Sequence, residues 1–260
     1  MHPEYIAAVK YTGLLKKHIS SKEVISIEKV EGDSAGANVV DTLRNLLKTP
    51  EWKNCKAQIV LSGDFTKFRV VTWNDDLNQE EQKTRVLHQL EEIYGAGTKP
   101  LHVFISDGGF RKNSLAFSIE KSFYNELLNL EDERLLRLDS MLPYFVLITN
   151  YWRKSIDKSA WLIIKENSRI YYAKFIENSW ELIKVDPIKD NWELEAKRIL
   201  SREIMQSGGS FEVSQIYFHE EKQSNVNSGL IKNIHQNLVV LGRNAFKESN
   251  DKLLFASYLS

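Results

Sequence analysis

The chain has 260 residues, 42% hydrophobic and 27% charged, which provides core material for one large domain or two intimate ones and argues against wholesale disorder. Lys+Arg and Asp+Glu balance at 35 each, so no long-range field of one sign steers the protein to nucleic acid or an anionic bilayer. A single cysteine, Cys55, excludes an intrachain disulfide and a thiolate zinc cluster and suits a reducing compartment.

The opening Met1-His2-Pro3-Glu4 lacks the basic and apolar regions of a signal peptide. Residues 4–30 are ambiguous. Tyr5, Ile6, Ala8 and Val9 suit the start of a helix, whereas Tyr11-Thr12-Gly13 suits a hairpin turn between two strands that end at Val24-Ile25-Ser26-Ile27, the reading favoured here. Val39, Val40, Leu43, Leu46 and Leu47 line one face of a helix that must stop before Pro50. Strands follow at Ala57–Leu61 and Phe65–Trp73, on either side of the turn Ser62-Gly63-Asp64.

Asn78–Tyr94 is an amphipathic helix, with Asn78 and Glu81 spaced as a capping box and Gly95 as its stop. Leu101–Ile105 and Ser114–Ile119 form a hairpin around Asp107-Gly108-Gly109, and Phe123, Leu127 and Leu128 mark a short helix. From Ser140 to about Arg153 the chain is apolar nearly all round, which predicts a buried helix with Pro143 in its first turn. This run, densest over Met141–Ile148, is far short of the ~20 residues that span a bilayer. A soluble, intracellular protein is expected.

Ala160–Ile164, Arg169–Ile176 and Trp180–Val185 are joined by two Glu-Asn-Ser connections, at 166–168 and 177–179, and predict an antiparallel meander. A helix capped by Asp190 and Glu193 runs to Gly208-Gly209, followed by a strand at Ser214–Phe218. A weak helix near Leu230–Asn237 and a closing helix at Leu253–Leu259 complete the reading. The order meander, helix, strand, helix thus occurs twice.

No catalytic pattern emerges. There is no GxxxxGK[ST], GxGxxG or GxSxG, and the six histidines have no metal-ligand spacing. Asp107-Gly108-Gly109 precedes a strand, so it lacks the helix N-terminus that binds phosphate. Glu28 and Asp139 are the carboxylates at strand ends that two-metal chemistry would call on, but Asp139 reads better as the N-cap of the apolar helix. Cys55 reads as a semi-buried residue before a strand. The six tryptophans are core residues by default, with those at strand ends hinting at an interface.

Trp161-Leu162-Ile163-Ile164, Arg169–Ile176, Trp180–Val185 and the final Phe255-Ala256-Ser257-Tyr258-Leu259 resemble the second half of an actin-like, duplicated ribonuclease-H-like fold. With Gln58–Phe65, the strand to Trp73, the hairpin and the helix Phe123–Leu130 before them, they resemble the PilM-like proteins of type IV pilus assembly and the cytoplasmic domain of the type II secretion L component. The resemblance implies an α/β fold of two ribonuclease-H-like subdomains, residues 1–139 with inserted hairpins and residues 140–260, with mixed sheets and an antiparallel meander in each.

Nucleotide-binding members carry an Asp-containing, Gly-rich turn at the first hairpin of each half. Here the second is Lys165-Glu166-Asn167-Ser168, with no glycine and an acidic residue, the first is Tyr11-Thr12-Gly13, and Val240-Leu241-Gly242 stands where a glycine pair would meet adenosine. No cofactor is therefore expected, and ATP with Mg²⁺ only if the actin-like site were intact. The function implied is a non-catalytic cytoplasmic adaptor, peripheral to the inner membrane through its partner. That partner is the cytoplasmic tail of an inner-membrane assembly protein, with a motor ATPase as a further contact. Phe65, Phe68 and Val70 are the candidate partner-binding residues, with core packing as the competing reading. The alternatives are an actin-like ATPase and a metabolic enzyme whose site the sequence does not display.

Overall fold

The computed structural model describes residues 1–13, 18–28, 35–94, 100–190, 192–206, 215–220 and 238–241. The predicted helices at 230–237 and 253–259, Gly208-Gly209 and Gly242 lie outside them. The ambiguous N-terminal segment is the hairpin β1 (Tyr5–Thr12) and β2 (His18–Ser26), paired from Tyr5↔Ser26 to Thr12↔His18. α1 (Ala35–Lys48) buries Val39, Val40, Leu43, Leu46 and Leu47, the predicted stripe.

β3 (Cys55–Leu61) runs parallel to β7 (Leu136–Pro143). Between them in sequence, β4 (Thr66–Val71), β5 (Leu101–Ile105) and β6 (Ser114–Glu120) form an antiparallel sheet in the order β4-β6-β5. α2 (Gln79–Tyr94) packs on this sheet through Val86 and Leu90. Its capping box is made: Asn78 Oδ1 accepts from the Glu80 and Glu81 amides at 2.9 and 3.0 Å, and the Glu81 carboxylate accepts from the Asn78 amide at 2.8 Å. α3 (Lys121–Asp132) buries Phe123, Leu127 and Leu130 beside α1.

The later residues form one five-stranded sheet, β10-β9-β8-β11-β12. β8 (Ala160–Lys165), β9 (Arg169–Ile176) and β10 (Ser179–Pro187) are the predicted meander, and Glu177 and Asn178 both take positive φ in the tight turn between β9 and β10. After α5 (Trp192–Gln206), β11 (Ile216–Glu220) lies parallel to β8 and to β12 (Leu238–Val240). Ala160 to Ile164 are all buried, as expected of a central strand covered on both faces.

Two expectations need correction at the apolar run. Ser140–Pro143 belongs to β7, and the helix, α4, is only Tyr144–Trp152. Pro143 is extended (φ −62°, ψ 145°), so it ends the strand and stands before the first helical turn. An apolar strand and an apolar helix joined without a loop share one hydropathy signature. Asp139 is consequently not an N-cap. It is the extra residue of a bulge between Ala57↔Leu138 and Gln58↔Ser140, and its carboxylate meets Lys56 and the Gln58 amide.

α4 is buried as predicted, with Tyr144, Phe145, Leu147, Ile148 and Thr149 inside. Phe145 stacks on Tyr171 of β9 at 5.0 Å and meets Phe68 of β4 edge-on at 5.3 Å, so one ring ties the early sheets to the later one. At the other side, His219 of β11 is 1% exposed between Tyr144 and Trp152. The Trp152 indole N–H donates to Nδ1 at 3.3 Å, which leaves Nε2–H to donate to the Tyr144 oxygen at 3.0 Å.

Burial holds the His219 pKa down to about 4 against an ordinary 6.5. Between these values the unfolded chain binds a proton that the folded chain refuses, so stability falls as pH drops from 6.5 to about 4. The loss should be on the order of 3 kcal/mol. Urea unfolding at stepped pH checks it, and His219→Gln should lack this component.

Candidate functional site

Two tight turns converge on the loop Ser62-Gly63-Asp64 that follows β3. One is Lys165–Ser168, between β8 and β9. The other is His2-Pro3-Glu4, where the His2 and Tyr5 backbones exchange hydrogen bonds at 3.0 and 3.3 Å. Near Gly63 the centre is Glu166, 2% exposed, whose carboxylate accepts from the Gly63 amide at 3.0 and 3.3 Å and from the Tyr171 hydroxyl at 2.6 Å. The fit is close. A Cβ on Gly63 would lie 1.9 Å from the Tyr171 oxygen.

Asp64 lies one residue on and half-buried. It accepts from Arg169 Nε at 2.7 Å and from the Ser168 hydroxyl, and His2 Nε2 stands 3.4 Å away. The two carboxyls respond in opposite ways. For Glu166, burial pushes the pKa up and outweighs the Tyr171, Gly63 and Ser62 hydrogen bonds that favour the anion. For Asp64, burial also opposes the charge, but the bonds from Ser168 and Arg169 and the Arg169 charge win, and the pKa is lowered. Tyr171 is raised well above its ordinary value by burial and by Glu166 beside it.

Beside this junction opens a cleft of about 930 Å³ between α1, α3 and β4, lined among others by Phe65, Lys67, Leu101, Phe123 and Glu126. Phe65 stacks on Phe123 at 4.6 Å in its wall. Close packing shapes this wall, since a Cβ on Gly36 of α1 would come within 2.9 Å of the Phe123 ring.

The three residues singled out by sequence are thus separated. Phe65 faces the cleft. Phe68 is 7% exposed, packed among Phe117, Phe145 and Tyr171, and Val70 is half-buried opposite Leu115. Glu166 was singled out and lies at the centre of the junction. His2, Asp64, Arg169 and Tyr171 carried no signal of their own, because their partners are about sixty to a hundred residues away, save for the Tyr171–Glu166 pair within one hairpin. The turn matching 165–168 is His2-Pro3-Glu4 rather than Tyr11-Thr12-Gly13.

The other candidates have local partners. Asp107 Oδ1 accepts from the Gly109 amide at 2.8 Å, and Ser114 and Ser106 hydroxyls satisfy Gly108 and Leu115, as a hairpin turn needs. Of the tryptophans, Trp52, Trp161 and Trp192 are buried, and Trp73 is exposed against Phe110 at the tip of the β4-β6-β5 sheet. Cys55 is half-buried at the start of β3. Among the described residues no cluster of three or more His, Cys, Asp or Glu could hold a metal, and no helix is long and apolar enough to cross a membrane.

Two substitutions test the junction. Gly63→Ala should cost about 1–3 kcal/mol through collision with Tyr171, and a double-mutant cycle with Tyr171→Phe should show that part of the loss is shared. For Glu166, whose folded pKa is raised, the associated stability is present below pH 4.5 and lost as pH rises through the folded value. Glu166→Gln should abolish that loss and be at least as stable as the parent at pH 7, as read by urea unfolding at both pH values.

No protein-family model matches the chain, and no curated protein matches it in sequence. Solved structures do match. A Bacteroides thetaiotaomicron protein with an actin-like ATPase fold and unknown function aligns at TM-score 0.56 and 12% identity, over 87% of this chain and 82% of that one. The PilM-PilN type IV pilus biogenesis complex aligns at TM-score 0.62 and 10% identity, over 93% of this chain and 86% of that one. Identities this low carry the fold alone. The chain has the actin-like, duplicated ribonuclease-H-like fold, and in that fold it is similar to the PilM-PilN complex.

Proposed function

We propose that this protein is a non-catalytic adaptor that holds a peptide tail of a membrane-assembly partner, in a type IV pilus or type II secretion platform. The observation that carries the reading is Glu166. In nucleotide-binding relatives of this fold the equivalent turn wraps phosphates. Here a buried carboxylate sits on the Gly63 amide, and Arg169 and Ser168 are engaged by Asp64. An incoming phosphate would meet an acidic group where it needs donors, and the Gly63 amide, the Ser168 hydroxyl and the Arg169 guanidinium would already have acceptors. Similarity to the PilM-PilN complex supports a pilus-type assembly role at the level of fold.

The cleft beside the junction is our assignment for the peptide, with Phe65 as its aromatic contact. Its volume of about 930 Å³ is in the range of pockets that enclose several side chains. Affinity in such a cleft comes from one or two buried anchors, with main-chain hydrogen bonds fixing direction. A partner of this kind would bring the adaptor to the inner membrane, and a motor ATPase is a further proposed contact.

Calorimetry with Mg-ATP should give no micromolar binding, and pull-down from membrane extracts of the host should retrieve an inner-membrane assembly protein. Phe65→Ala should weaken that capture at least tenfold and leave the fold intact. Micromolar ATP affinity, or recovery of no membrane protein, would overturn the adaptor reading.

A further inference from the structure

The cleft beside the junction carries a charge imbalance that the balanced overall composition conceals. Asp41 of α1 and Glu126 of α3 line it. Both accept hydrogen bonds from Arg44, Glu126 at 3.3 Å, and Glu133 takes the Arg44 Nε–H at 3.0 Å. Three carboxylates thus share one guanidinium, and among the described residues no second cation pairs with any of them. The surplus is two negative charges. It stands in solvent, since the Asp41 and Glu126 side chains are 67% and 49% exposed. Elsewhere along the cleft charge is matched: Glu120 lies beside Lys67, and Asp64 beside Arg169.

A second observation comes from buried side chains of the same cleft. Thr66 of β4 and Ser118 of β6 line it, in adjoining register pairs, Thr66↔Ile119 and Lys67↔Ser118. They are 6% and 0% exposed, and neither hydroxyl has a hydrogen-bond partner among the described residues. A buried hydroxyl without a partner destabilises the protein that holds it. Two of them on one cleft point to an occupant that supplies the missing bonds. The apolar contact is the Phe65–Phe123 stack.

We propose that the cleft selects a basic, extended peptide segment. An apolar side chain of the segment lies on Phe65, its main-chain amides and carbonyls bond Thr66 and Ser118, and a Lys or Arg sits over Asp41 and Glu126. An acidic segment or a phosphate is repelled at that rim, and a neutral one leaves the surplus unanswered. The inference rests on the adaptor reading for there being a peptide at all, and it names the chemistry of that peptide. Cytoplasmic flanks of membrane-spanning segments carry an excess of Lys and Arg, which is what the rim accepts. Because the rim is exposed and screened by salt, its charges set encounter and register more than affinity.

The test is selection from a displayed library of random peptides, with the parent chain and the double variant Asp41→Asn, Glu126→Gln as baits. Glu133 still holds Arg44 in that variant, so the contact between α1 and α3 survives. Peptides enriched by the parent should exceed the unselected library in Lys and Arg at least twofold, and the excess should vanish on the variant. Binding of the most enriched peptide, read by fluorescence anisotropy, should weaken at least threefold from low to molar salt. Ser118→Ala should be no less stable than the parent in urea and should bind that peptide at least fivefold more weakly. Enrichment without a basic bias, or the same bias on both baits, would overturn the proposal. So would a loss of stability in Ser118→Ala, because its hydroxyl would then be bonded within the fold. Enrichment of no peptide at all would take the adaptor reading down with it.

Discussion

Glu166 is buried almost completely, and a carboxylate in that position is tolerable only because its neighbours are arranged around it. The Gly63 amide and the Tyr171 hydroxyl converge on it from different elements, and the absence of a side chain at Gly63 is what lets Tyr171 reach. Tyr171 in turn forms one wall of the aromatic cluster with Phe145 and Phe68. The polar junction and the apolar centre are thus two sides of one contact. Losing one partner would leave an uncompensated group in low dielectric, which costs more than the bond contributes.

The same contact ties the turn at 165–168 to the loop after β3, because Glu166 of the turn takes the Gly63 amide of that loop. Asp64 completes the closure by engaging Ser168 and Arg169, and its depressed pKa keeps it charged throughout the neutral range. Of the two acids, Asp64 is the one held in its charged form, by the Ser168 hydroxyl, by Arg169 and by His2.

Much of the fold was legible in the sequence because it is written in periodicity. The stripe Val39–Leu47, the Asn78–Glu81 box and the paired Glu-Asn-Ser turns each depend on residues within one or two turns of one another, and each is present in the structure. Where hydropathy carries no period, the reading failed: Ser140–Pro143 and Tyr144–Trp152 are equally apolar, and only pairing with β3 separates strand from helix. The site was half legible. Glu166 stands out as an acid in a turn, but its partner Gly63 is 103 residues away, and His2 and Asp64 meet only when both turns fold onto one loop. Phe65 and Phe68 stand three residues apart in one segment, and nothing local tells which ring will be enclosed.

The direct passage from β7 into α4 sets how the molecule can deform. Pro143 closes the strand, Tyr144 opens the helix, and no residue lies between them. A tilt of the early sheets against the later one must turn about that junction, where the pyrrolidine ring has already fixed φ and only ψ is soft. The helix so anchored carries Phe145 into the aromatic cluster and Tyr144 onto His219. Torsion applied to β7 therefore enters α4 directly, with no loop residue between strand and helix to absorb it.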